Sequence, residues 1–270
     1  MKILKENYTL HHGLKIPKLA FGTWQIPDGK ICYNSVLSAL KMGYRHIDTA
    51  AAYKNEASVG KAIKDSGIPR NEIFVTTKLE SHIKDYNEAH QAFNKTLNDL
   101  GLDYVDLYLI HAPWPWSDIG KNCDLGNIEV WKAFEEIFES GRAKAIGVSN
   151  FNVDDLKNVM KDAKIIPHVN QIQFHIGMDQ NETLAFCKAN NILVEAYSPL
   201  ATGRILKHPQ IEAFAKKYNV TPAQICIRYC LEKQTLPLPK STHEQRIKEN
   251  ASIDFKISKE DIQKLDQIKL

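Results

Sequence analysis

A chain of 270 residues, 43% hydrophobic and 25% charged, has a globular composition and the length for one large α/β barrel or two modest domains. A net charge of +3, interspersed along the chain, gives no electrostatic case for nucleic acid, and the longest apolar runs are strand-sized, too short to cross a membrane. The N-terminal stretch lacks the apolar core of a signal peptide, so a cytoplasmic location is expected, and five cysteines without a CxxC point to core packing.

In chain order, residues 8–10 and 14–16 around His11-His12-Gly13 read as a hairpin that could plug the bottom of a barrel. Short β-rich segments then alternate with amphipathic helical ones. The predicted strands are residues 19–23, 46–49, 73–78, 105–111, 145–149, 168–173, 193–197 and 235–239. Between them, Ala89, Phe93, Leu97 and Leu100 form one apolar helical stripe, and Val130, Phe134, Ile137 and Phe138 another that Gly141 is placed to end. Asn152 reads as an N-cap. Thr221-Pro222-Ala223-Gln224 combines a capping threonine, proline at the first helical position and glutamine at the third, which starts a helix through Leu231. Residues 208–218 and 258–265 predict two extra helices. Eight βα units in this length predict a closed (β/α)8 TIM barrel, one domain over residues 1–270, in preference to an open doubly wound sheet.

Polar side chains at the C-terminal ends of barrel strands need a reason, because active sites of this fold lie on that face. The second strand runs into Asp48 and, after a short turn, Tyr53; the third ends at Lys78 and the fourth at His111. Neighbouring strands make these ends converge. Reduction of a carbonyl leaves an alkoxide that must receive a proton, and a tyrosine has an ordinary pKa of about 10. The Lys78 ammonium would lower that value, Asp48 would keep the lysine charged, and His111 could donate to the carbonyl oxygen. Each residue alone has a plainer reading: a rim ion pair for Asp48 and Lys78, a loop aromatic for Tyr53, a strand-end histidine for His111.

The segments around these residues resemble the aldo-keto reductases. Residues 43–60, GYRHIDTAAAYKNEASVG, match that family's first signature; residues 102–111, LDYVDLYLIH, match the second; and Leu238-Pro239-Lys240-Ser241 with Arg246, Glu249 and Asn250 matches the third. The similarity covers nearly the whole chain and includes short bacterial members of the 2,5-diketo-D-gluconate and glyoxal reductase kind. The resemblance implies an NADP(H)-dependent reductase of small carbonyl substrates with the tetrad Asp48, Tyr53, Lys78 and His111. It implies Ser149, Asn150 and Gln171 at the nicotinamide carboxamide, Tyr197 beneath the ring, and Thr23, Trp24 and Asp48 at the mouth. Ser198 and Leu200 match pyrophosphate contacts, Lys240, Ser241, Thr242 and Arg246 the pocket for the adenosine 2′-phosphate, and Glu249 and Asn250 the adenine contacts. A monomer is implied as well.

Lys240 and Arg246 suit a phosphate dianion at a helix start, and no GxGxxG follows a predicted strand, which disfavours a Rossmann dehydrogenase. Departures from the family pattern bear on substrate. Ala112 follows the catalytic-type histidine where many relatives have tryptophan, so a wider wall is expected; Glu80 stands two residues after Lys78 where many have an aromatic, and it would repel anions or bond hydroxyls. Trp24, Glu80, His111, Ala112 and Trp114 form the expected substrate pocket, with Trp114 and Trp116 either refilling space or covering the barrel edge. A short loop at residues 201–204 predicts an open pocket. His243 and Glu244 replace threonine and proline, and Glu244 near a phosphate leaves NADH tolerance open. His11-His12 in a turn and isolated His208 and His243 predict no metal. Two other readings compete: a cofactor-binding sensor with negligible turnover, and a Schiff-base aldolase using Lys78.

Overall fold

The computed structural model describes residues 1–270. Strands β1 (Asn7–Thr9) and β2 (Lys15–Pro17) pair antiparallel, with Tyr8 opposite Ile16. Leu10 and Ile16 of this hairpin are buried with Ala20, Phe74, Leu107 and Leu236 near the N-terminal ends of the barrel strands, closing that end. The eight barrel strands are β3 (Phe21–Gly22), β4 (His46–Asp48), β5 (Phe74–Leu79), β6 (Leu107–Ile110), β7 (Ile146–Ser149), β8 (Val169–Gln173), β9 (Leu193–Tyr197) and β10 (Leu236–Leu238). They lie side by side in sequence order, all parallel. Backbone bonds from the Ala20 amide to Pro237 (3.2 Å) and from the Gly22 amide to Pro239 (3.1 Å) join the first barrel strand to the last. The result is the (β/α)8 fold expected from the eight alternating units.

Around the strands run α1 (Lys30–Lys41), α2 (Glu56–Asp65), α3 (Tyr86–Leu100), α4 (Asp124–Glu139), α5 (Val153–Met160), α6 (Asn181–Ala189), α8 (Pro222–Glu232) and α9 (Glu244–Ala251), with α7 (Pro209–Tyr218) and α10 (Lys259–Asp266) as the two extra helices. Local sequence sets their ends. Thr221 and Gln224 form a reciprocal capping box on α8, Asn152 and Asp155 another on α5, and Gly141 sits just past α4 in a left-handed conformation at φ +75°. Gly60 is required by a close approach: a Cβ there would lie 1.8 Å from the Leu100 carbonyl oxygen at the end of α3.

The sixth strand is shorter at its start than residues 105–111. Val105 makes only an isolated bridge to Ala143, and Asp106 turns its carboxylate to the Val75 amide (2.9 Å) and the Arg70 guanidinium (2.8 Å). The segment after β9 also departs from a plain short loop. Residues 201–207 form a 3-10 stretch kinked at Thr202 and Gly203, both with positive φ.

Candidate active site

The C-terminal ends of β4, β5 and β6 bring Asp48, Tyr53, Lys78 and His111 into one group. Asp48 ends β4, and a 3-10 turn over Ala51–Tyr53 brings Tyr53 back over the strand end. Lys78 is wholly buried, its Nζ 2.8 Å from both Asp48 carboxylate oxygens and 2.8 Å from the Thr49 carbonyl oxygen. The same nitrogen lies 3.4 Å from the Tyr53 hydroxyl. Tyr53 and His111 stand edge to face, ring centres 5.6 Å apart.

These contacts set the charges. Burial alone would lower the Lys78 ammonium, but Asp48, Tyr53 and Glu195 outweigh it and hold the pKa above its ordinary value. Burial, aided by the Lys78 charge, pushes His111 down to about 3, so its imidazole is neutral. Tyr53 departs from the expected lowering. Lys78 does pull its pKa down, but burial is the larger effect and Asp48 adds to it, so the hydroxyl sits above the ordinary value of 10.0 and keeps its proton at neutral pH.

Beneath the group lies a polar chain. Gln171 Nε2 donates to Asp48 Oδ2 at 2.8 Å and to Glu195 Oε2 at 2.7 Å. Glu195 is wholly buried, and desolvation with the nearby Asp48 charge raises it to about 8. Glu195 went unnoticed in the sequence, although an acid inside the apolar run Leu193–Tyr197 is itself a signal.

A cleft of about 990 Å³ opens above, lined at one end by Asp48, Tyr53, His111 and Trp24 and at the other by Lys240 and Arg246. Its wall includes Ser149, Asn150, Gln171, Tyr197, Ser198 and Leu200, and beyond these Ser241, Glu249 and Asn250. The Ser149 hydroxyl donates to the Gln171 carbonyl (2.8 Å), Asn150 Nδ2 donates to the His111 carbonyl (2.9 Å), and the Tyr197 hydroxyl donates to Asn150 Oδ1 (2.7 Å). Asn150 and Ser198, just past β7 and β9, both have left-handed backbone, with φ of 63° and 51°. Strain of this kind is concentrated at binding sites.

The donors suit a dinucleotide phosphate. Arg246 and Lys240 are exposed and neither forms an ion pair or hydrogen bond within the protein, so both are free to meet an anion. At the other end Gln171 Oε1 has no protein partner and is open to an amide donor. Glu244 does not line the cleft, so its charge is not part of the wall.

Five expected site residues lie elsewhere. Thr23 is wholly buried and donates to the Asp48 carbonyl (2.9 Å), so it supports the mouth from beneath without lining it. Thr242 is exposed outside the cleft. Ala112 is wholly buried and offers its carbonyl to Lys84 (2.8 Å), so it widens no wall. Glu80 turns to Lys54 and His82 and borders a separate cavity of about 440 Å³. Trp114 is also absent from the wall: it packs edge to face on Trp116, and Trp116 is the ring that stands against His111 and lines the cleft.

The Aldo/keto reductase family model matches residues 18–270, and the chain belongs to that family, as an oxidoreductase. It is 42% identical over 266 residues to a glyoxal reductase of Bacillus subtilis (strain 168), covering 98% of this chain and 93% of that protein. An aldehyde reductase of Saccharomyces cerevisiae is 41% identical, with 96% of this chain and 89% of that protein covered. Among solved structures, an aldo/keto reductase from Brucella melitensis superposes with a TM-score of 0.90 at 42% identity, covering 97% of this chain and 98% of that one.

Proposed function

We propose that this protein reduces aldehyde or ketone carbonyls to alcohols with NADP(H), Tyr53 serving as the proton donor. The observation that carries this reading is the placement of the Tyr53 hydroxyl 3.4 Å from a buried ammonium that is itself clamped by Asp48 at 2.8 Å, beside a neutral His111. The resemblance to glyoxal and aldehyde reductases supports the same substrate class.

When bound, the nicotinamide supplies the hydride to the carbonyl carbon. The chain's own residues manage the oxygen. His111, neutral at working pH, can donate a hydrogen bond that fixes and polarises the carbonyl. As negative charge develops on that oxygen, the Tyr53 proton moves to it. The fixed Lys78 charge stabilises the tyrosinate left behind, and the bulk pool later restores the proton. Gln171, Ser149 and Asn150 would hold the carboxamide, Tyr197 would pack on the ring, Ser198 and Leu200 would lie along the pyrophosphate, and Lys240, Ser241 and Arg246 would hold the 2′-phosphate, with Glu249 and Asn250 near the adenine.

A Schiff-base aldolase is disfavoured because Lys78 is held charged, and an ammonium is no nucleophile. Aldehydes, α-dicarbonyls and sugar-derived ketones assayed by loss of NADPH absorbance, with NADH alongside, test the reading. No turnover of any of them would favour a sensor.

A further inference from the structure

Three imidazoles meet at the bottom of the barrel, the end opposite Tyr53. His11 and His12 are exposed on the turn between β1 and β2, and His168, 1% exposed, immediately precedes β8. One ring nitrogen from each of the three lies within 4.8 Å of the other two. The His12 and His168 ring centres are 3.9 Å apart, and His11 stacks on His168 at 4.5 Å.

The hydrogen bonds decide which nitrogens are free. His12 Nε2 lies 3.0 Å from the Lys144 carbonyl oxygen, which only accepts, so Nε2 carries the proton and Nδ1 keeps its lone pair. His168 Nδ1 faces the Ile146 carbonyl at 3.0 Å and the Ile146 amide at 3.2 Å. Nδ1 accepts from the amide in one tautomer and donates to the carbonyl in the other, and the second, which leaves a lone pair on Nε2, is the form a metal ion would select. His168 Nε2 is buried with no partner, and a buried orphan of this kind asks for a ligand. A backbone carbonyl within reach of the far nitrogen, as His12 and His168 each have, is the usual support for histidines that bind metal.

We infer that His11, His12 and His168 bind one divalent transition-metal ion of the zinc, cobalt or nickel kind, with water completing the coordination. Neutral imidazoles suit these ions and not calcium or magnesium. Metal–nitrogen bonds of about 2.0–2.1 Å require the ligand atoms to draw closer than they now lie. His11 supplies that movement: its ring is parallel to His168 within 8°, is exposed, and makes no hydrogen bond, so it can swing until its lone pair and that of His168 converge. The ion would staple the hairpin plug to β8, far from the reductase cleft. The expectation of no metal considered His11 and His12 without a third ring, which only the closure of the barrel supplies.

The test is titration of the untagged, metal-stripped chain with zinc(II), followed by calorimetry, and with cobalt(II), followed by visible absorption. One saturable equivalent is expected, with tetrahedral cobalt bands, a zinc-dependent rise in the thermal unfolding midpoint and unchanged carbonyl reduction. H168Q, H11A and H12A should each weaken binding by at least about tenfold, while H208A should not. No saturable binding, or binding undiminished in H168Q, overturns the site. Should H168Q fail to fold, undiminished binding in the H11A/H12A double variant overturns it equally.

Discussion

Glu195 Oε2 accepts a hydrogen bond from Gln171 Nε2 at 2.7 Å, and the same amide nitrogen donates to Asp48 at 2.8 Å. A second carboxyl group is thus joined to the Asp48–Lys78 pair through one side chain. It remains protonated at neutral pH because burial raises it from 4.5 to about 8. The folded state therefore binds more protons than the unfolded chain across that window. The stability this group contributes is fully present below 4.5 and is lost as pH rises through about 8. Glu195→Gln removes the titration and keeps an acceptor for Gln171. Denaturant unfolding at a series of pH values should show the variant gaining on the wild type with rising pH across this range; parallel curves would refute the assignment.

Tyr53→Phe deletes the proton donor while leaving the ring that lines the cleft. Turnover of a simple aldehyde should fall by at least about 10²-fold, the usual size of a general-acid contribution. NADPH affinity, followed by fluorescence, should change little. Because Tyr53 sits above its ordinary value of 10.0, the wild-type rate of reduction should not decline through this group until strongly alkaline pH. Undiminished turnover in the variant would remove Tyr53 from the chemistry.

Arg246 lines the cleft at its basic end, exposed and unpaired. Loss of a charge-assisted bond of about 1.5–3 kcal/mol corresponds to roughly ten- to hundredfold in affinity. Arg246→Ala should raise the KM for NADPH by that factor and leave the KM for NADH nearly unchanged. Equal effects on both cofactors would mean that the guanidinium does not meet a 2′-phosphate.

Gly60 belongs to the signature segment but touches nothing in the cleft. With a Cβ 1.8 Å from the Leu100 carbonyl oxygen, Gly60→Ala must separate α2 from α3. Overpacking of this kind costs about 1–3 kcal/mol, and backbone against backbone belongs at the upper end. Thermal unfolding should fall by several degrees, with kcat per folded molecule retained; an unchanged midpoint would show that the helices shift freely.

What was legible in the sequence follows from how local its causes are. The strand order, the capping boxes at Asn152 and Thr221 and the hairpin are written in short-range patterns, and the structure reproduces them within a residue or two. Asp48, Lys78 and His111 were legible because a parallel barrel places consecutive strand ends side by side. Side-chain direction was not legible. Glu80 was misplaced because spacing from Lys78 says nothing of the Lys54 ammonium that draws it aside. Ala112 was misplaced because its burial, away from the cleft wall, depends on packing that spacing from His111 does not reveal. Glu195 and the meeting of His168 with His11 and His12 depend on contacts across the closed barrel.

Substrate selection should accordingly depend on Trp116 and not on Glu80. Trp116 is 45% exposed, lines the cleft, and stands edge to face against His111 with ring centres 5.8 Å apart. Its indole offers apolar surface beside the place where a carbonyl oxygen would meet His111. Trp116→Ala should therefore raise KM for aromatic and long-chain aldehydes while changing it little for a two-carbon dicarbonyl too small to reach the ring. Trp114 braces Trp116 with ring centres 4.8 Å apart, so Trp114→Ala should give a weaker version of the same pattern. Glu80 is ion-paired with Lys54 on the wall of a separate cavity, and removal of an exposed ion pair of that kind changes little at a distance. Glu80→Ala should leave KM for neutral and anionic aldehydes within about twofold of the wild type. A marked gain for anionic substrates in that variant would show that Glu80 reaches the pocket after all, and would return the substrate question to the loop after β5.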